Sequence, residues 1–104
     1  FYISPFKIIW LATDFQSAYP AKLLISIPKH NVHNAVDRNY MKRIIRESYR
    51  KNKSQWYDYL ISKNQKCVFA LVFTSKILIP YNQIEATILL ILQRLIQEHE
   101  KIAG

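Results

Sequence analysis

Six side chains in one stretch offer this sequence's most concerted chemistry: Arg38, Asn39, Lys42, Arg43, Arg46 and Arg50. Wound into an α-helix at about 100° per residue, they fall within an arc of roughly 140°. Met41, Ile44, Ile45 and Tyr40 take the opposite side, so the stretch reads as amphipathic. Between Ala35 and Lys53 seven Lys or Arg stand against two acids, Asp37 and Glu47, a net +5 of the chain's formal +8. The arc itself holds no carboxylate. A face that is merely solvated mixes signs at i,i+4 spacing, because like charges there destabilise the helix. Arginine also outnumbers lysine, and its planar fork fits a phosphate with two parallel hydrogen bonds. The chemistry expected of this face is the binding of a polyanion through its phosphates. Lys29 and His30 lie just upstream, where the free N–H groups of the helix start would help to hold one.

No residue pattern supports catalysis by the chain itself. The seven acids, Asp14, Asp37, Glu47, Asp58, Glu85, Glu98 and Glu100, form no close pair suited to acid–base or two-metal work. The single glycine, Gly104, excludes a phosphate-cradling glycine loop. Cys67 sits in an apolar run and reads as a small buried residue, not a nucleophile. His30 and His33 have no cysteine or carboxylate at ligand spacing, so they read as loop residues and not as zinc ligands. Neither a catalytic residue nor a metal ligand is expected.

The composition sets the same limits. A chain of 104 residues, half of them hydrophobic, is expected to form one domain over 1–104 with its own core. A pI near 9.8 points to nucleic acid or an anionic surface. A lone cysteine fits a reducing compartment, and no apolar run reaches membrane-spanning length. A cytoplasmic protein with no membrane partner is expected.

The elements that must position the basic face follow from the chain in order. Residues 6–13 read as a strand with Phe6, Ile8 and Trp10 on one face and Lys7, Ile9 and Leu11 on the other. Both faces are apolar, so the strand is either covered twice or exposes a groove. A connection through Asp14, Phe15 and Tyr19 leads to a second strand at 21–27, and the two are expected to pair as an antiparallel hairpin. Asn34 is placed to cap the basic helix, with Asp37 at its positive end. Residues 54–62 either extend that helix or form a second one capped by Ser54. Their aromatics read as core. The run 66–74 is continuously apolar and is expected to be a central strand covered on both faces. A last helix opens at Asn82, paired with Glu85 as cap and acid. Its stripe is Ile84, Ile88, Ile91, Leu92, Leu95 and Ile96. The order β-β-α-(α)-β-α implies an α+β fold, a small mixed sheet with helices packed against it.

Ala35-Val36-x-Arg38-Asn39-x-x-Lys42-Arg43-x-x-Arg46-Glu47, followed by Tyr49-Arg50, closely resembles the signature helix of the bacterial ribonuclease P protein subunit. The upstream Ser26-Ile27-Pro28-Lys29-His30 resembles the run that precedes it in that family. The resemblance covers nearly the whole chain. It implies a left-handed β-α-β crossover, against the general right-handed rule. It also implies a family helix ahead of the first strand, missing here, so an N-terminally truncated piece is expected. In function it implies the protein subunit of ribonuclease P, an endoribonuclease that removes the 5′ leader of precursor tRNA with its catalytic site in the RNA subunit. Lys29, His30, Arg38, Asn39, Lys42, Arg43, Arg46 and Arg50 would bind the ribonuclease P RNA. The leader would lie on the open face of the first strand. Lys7 and Ile9 match the family's cleft positions best. Phe6 and Trp10 offer stacking rings, but on the opposite face, where core packing competes. Mg²⁺ would be recruited with the RNA, and no obligate protein partner is implied. Two departures stand out: Tyr40 replaces the third residue of an Arg-Asn-Arg motif, and His30 replaces a lysine.

The alternatives are a basic DNA- or RNA-binding module unconnected with tRNA, and an amphipathic helix for a membrane surface or partner. A DNA regulator would need a helix-turn-helix partner, whereas the segment upstream of the basic helix reads as a strand.

Overall fold

The computed structural model describes residues 1–14 and 16–103; Phe15, expected in the first connection, and Gly104 lie outside the described residues. Four strands and three helices follow in the order β1 (Tyr2–Ile3), β2 (Phe6–Ala12), β3 (Ala21–Ser26), α1 (Ala35–Asn52), α2 (Ser54–Ser62), β4 (Cys67–Phe73) and α3 (Tyr81–Ala103). The α+β class and the mixed sheet agree with the sequence reading. The two-residue edge strand β1 was not legible, being too short to show a period.

The sheet order is β1-β2-β4-β3. β4 pairs antiparallel with β2 and parallel with β3, so the expected hairpin between the first two long strands does not form. The physical reason lies in β4. Its apolar run gains most from the centre, and the connection 13–20 is long enough to step over it, about 10 Å at normal strand spacing.

All three helices contribute to a core on one face of the sheet. Phe6 and Ile8 of β2 and Cys67, Phe69, Leu71 and Phe73 of β4 point inward. They meet Met41, Ile44, Ile45 and Tyr49 of α1, Trp56 and Leu60 of α2, and Ile84, Ile88, Ile91, Leu92 and Leu95 of α3. Each fully buried large side chain contributes about 1.5–3 kcal/mol. Trp56 meets Phe69 edge-on at 6.0 Å and 90°. His99 is buried between Trp10 (4.7 Å) and Trp56 (5.3 Å), and burial holds its imidazole below the usual histidine range. Cys67 is buried with its thiol pushed up to about 12 by desolvation, which keeps it from acting as a nucleophile.

The other face of β4 is not covered by a helix. Val68, Ala70 and Val72 are half-buried there, between β2 and β3, which corrects the expectation of a strand covered twice. The helix termini also differ from the reading. α2 is a separate helix, but Ser54 is its first residue and no side chain caps it. α3 begins at Tyr81, where the Pro80 carbonyl accepts from the Gln83 and Ile84 amides. Glu85 is no capping acid. It accepts from Asn52 Nδ2 (3.0 Å) on α1 and from the Tyr81 hydroxyl (3.1 Å), and so ties the two long helices together.

Candidate nucleic-acid interface

The basic face is built on α1, whose start is set as expected: Asn34 Oδ1 accepts from the Val36 amide at 2.8 Å. Packing rotates the helix relative to a wheel drawn from hydropathy alone. Met41, Ile44, Ile45, Ser48 and Tyr49 are buried. Tyr49 lies among the basic positions on that wheel, yet it fills core against Phe69 at 5.6 Å. Tyr40, expected on the apolar side, is 40% exposed. Hydropathy ranks both rings alike, and only the direction of the core separates them.

The eight residues predicted to bind phosphate are not equivalent. Asn39, Arg43 and Arg46 are exposed and Lys42 is half-buried along the outer side of α1. Among the described residues, none of Lys42, Arg43 and Arg46 forms an ion pair. Arg38 is anchored instead. Its Nη1 donates to the Val32 carbonyl at 3.0 Å and to the His33 carbonyl at 2.8 Å, so it holds the chain that enters α1. Arg50 meets Glu47 at 2.6 Å, with Lys51 at 3.9 Å from the same carboxylate. The pairing holds the Glu47 carboxyl below its usual range, and Arg50 above its own. Glu47 lies just outside the 140° arc and reaches into it, a possibility that counting residues within the arc overlooked. Lys29 and His30 are exposed on a turn before the helix. There the Asn31 and Val32 amides donate to the Pro28 carbonyl, and Asn31 Nδ2 fastens the turn to the Phe73 carbonyl at 3.1 Å.

A second surface lies on the uncovered sheet face. Registration places Lys7, Val72 and Ser26 in one row, Ile9, Ala70 and Leu24 in the next, and Leu11, Val68 and Lys22 in the third. Ile9, Leu11 and Leu24 are exposed at 55%, 63% and 60%, and small Ala70 lies between Ile9 and Leu24. The result is an apolar trough with a lysine at each of two opposite corners. Lys7 and Ile9 are therefore on the accessible face. Phe6 is fully buried beneath the sheet at 5.7 Å from Phe73, and Trp10 packs on His99 on the same inner side. Neither ring can stack a base on the open face. Lys22, Leu24 and Leu11 complete this surface. Leu11 shares that face with Lys7 and Ile9 by strand alternation, whereas Lys22 and Leu24 escaped the sequence reading because the pairing of β3 with β4 was not foreseen.

The donor set does not fit a magnesium ion held by the protein. Among the described residues no three His, Cys, Asp or Glu side chains converge. Glu47, Glu85 and Glu98 are each engaged by Arg, Asn, Tyr or Lys side chains. No helix among the described residues is long and apolar enough to cross a membrane. The segment before α1 is β3 and a turn, so α1 has no helix-turn-helix partner on that side.

Comparison with known proteins gives a consistent result. The family described as Ribonuclease P matches residues 2–95. A "Ribonuclease P protein component" of Porphyromonas gingivalis ATCC 33277 is 30% identical over 86 residues, 82% of this chain and 62% of the relative. The protein of the same description from Porphyromonas gingivalis W83 aligns with the same identity and coverage. One from Chlorobium phaeobacteroides is 44% identical over 46 residues, 43% of this chain and 32% of the relative. The chain thus spans less than two thirds of the length of the relatives it matches. No solved structure matches significantly.

Proposed function

The chain belongs to the ribonuclease P family, and from that premise we propose that it serves as the RNA-binding protein subunit of a ribonuclease P holoenzyme in the cytoplasm. In this reading it assists a catalytic RNA in removing the 5′ leader of precursor tRNA. The observation that carries the reading is the set Lys42, Arg43 and Arg46, three cations on adjacent turns with no ion-pair partner among the described residues. Their mutual repulsion is relieved when RNA phosphates supply the counter-charge, releasing bound cations from the RNA. Asn39, Lys29 and His30 extend the contact along the same side of the chain. Arg50 joins by exchanging Glu47 for phosphate, and Arg38 acts by shaping the entry to α1.

The single-stranded leader is assigned to the trough on the open sheet face. Ile9, Leu11 and Leu24 supply apolar surface, and Lys7 and Lys22 lie at two corners of the floor. The cleavage chemistry is assigned to the RNA. Mg²⁺ enters this proposal with the RNA phosphates, and no step is derived through a protein-held ion.

Reconstitution tests the proposal. Adding the protein to a bacterial ribonuclease P RNA at low magnesium should restore 5′ cleavage of precursor tRNA, more so with a long leader than with a very short one. Absence of any stimulation would overturn the assignment. Stimulation indifferent to leader length would remove the trough from it.

A further inference from the structure

We propose that Tyr40 and Arg43 form a stacking platform for one unpaired nucleobase of the bound RNA, with Asn39 placed to hydrogen-bond the edge of that base. The inference rests on the reading of α1 as an RNA-binding face and adds to it a contact with a base where the others are to phosphate.

Four observations meet at this spot. Tyr40 is 40% exposed on the outer side of α1, one residue from Asn39 and three from Arg43. The Arg43 guanidinium lies over that ring, 5.5 Å from its centroid, a cation–π contact that presents a flat, weakly hydrated cation beside an aromatic surface. Val36, Asn39, Tyr40 and Arg43 together line an open hollow of about 380 Å³, roomy enough to take a ring. Val36 is 72% exposed, so the hollow has an apolar wall as well as an aromatic one. A polyanion contact alone needs neither an exposed tyrosine nor an exposed valine among its cations.

The ligand chemistry follows from those parts. Bases splayed from loops and bulges of folded RNA stack on aromatic rings and on guanidinium planes. Each such stack typically contributes about 1–3 kcal/mol as judged by truncation, about 5- to 150-fold in affinity. A side-chain amide offers both a donor and an acceptor to a base edge, which is what Asn39 brings. Because Arg43 occupies part of the ring, the base is expected to lie on the remaining ring surface or on the guanidinium, with a neighbouring phosphate reaching Arg46 one turn on.

The test compares Tyr40→Leu, Tyr40→Phe and Arg46→Ala in binding to two probes, a folded bacterial ribonuclease P RNA transcript and a fully paired RNA duplex, across a salt series. Tyr40→Leu should weaken transcript binding about tenfold with an unchanged salt slope, and should leave duplex binding as it was. Tyr40→Phe should stay within about twofold of wild type, since the ring is kept. Arg46→Ala should weaken both probes and lower the salt slope by about one. Unaltered transcript binding by Tyr40→Leu would overturn the platform while leaving the RNA-binding reading intact. Equal losses on both probes would overturn it too, because a duplex has no splayed base to stack. Failure of the wild-type protein to bind the transcript would overturn the underlying reading. Thermal melts set the folded fraction of each variant, and the ratio of the transcript loss to the duplex loss carries the comparison if Tyr40→Leu lowers stability.

Discussion

The two long helices bury the same kind of inner face and present opposite kinds of outer face. α1 carries six Lys or Arg against two acids, while α3 carries two against three. In α3 both cations share one carboxylate: Glu98 meets Arg94 at 2.7 Å and Lys101 at 3.4 Å. The same device occurs in α1, where Glu47 serves Arg50 and Lys51, but it reaches only the last turns. Lys42, Arg43 and Arg46 form no ion pair among the described residues. The difference teaches that charge count alone does not mark a binding face. What distinguishes α1 is cations on adjacent turns that form no ion pair among the described residues, a feature with an electrostatic cost unless a polyanion removes it.

Five variants bear on this contrast. The largest effect is expected from Arg43→Ala with Arg46→Ala. RNA affinity should fall about a hundredfold and the salt slope by about two, with a thermal midpoint close to wild type. Arg94→Ala in α3 should leave RNA binding as it was, and equal losses from the two helices would erase the distinction. Arg38→Ala should act differently from its neighbours, because it strips two carbonyls at the entry to α1 of their donor. A stability loss of about 1–3 kcal/mol in urea unfolding is expected. If stability is unchanged and only RNA binding falls, Arg38 belongs with Arg43 after all. The smallest effect is expected from Glu47→Gln, which frees Arg50 and Lys51. RNA affinity at low salt should rise by about two- to threefold with little change in stability, since exposed pairs contribute little. The matched Glu98→Gln in α3 should not alter RNA binding.

Much of this site was legible before any fold was known. The α1 span, its Asn34 cap and the outward Asn39, Arg43 and Arg46 follow from period and local chemistry, which need only neighbours in the chain. What failed did so where distant residues decide. The 40% exposure of Tyr40 and the burial of Tyr49 depend on which side of α1 faces Phe69, and hydropathy cannot rank two tyrosines. Phe6 and Trp10 already lay on the face opposite Lys7 and Ile9 by alternation. Only the packing of helices on that side removed them from the accessible surface.

By itself the sequence determined that one helix bears an unbalanced basic face, that a strongly apolar strand must be central, and that the chain belongs with the ribonuclease P family. Those are consequences of periodicity, charge and residue type, all carried locally. The tertiary structure alone decided that β4 separates β2 from β3, that one sheet face stays open as a trough, and that Glu85 clamps α1 to α3 instead of capping a helix. It also decided that Arg38 and Arg50 have partners while Lys42, Arg43 and Arg46 have no ion pair among the described residues. Strand pairing and side-chain partnership are contacts between segments far apart in the chain or between particular rotamers, and spacing along a sequence does not encode which of several sterically allowed contacts the packed core selects.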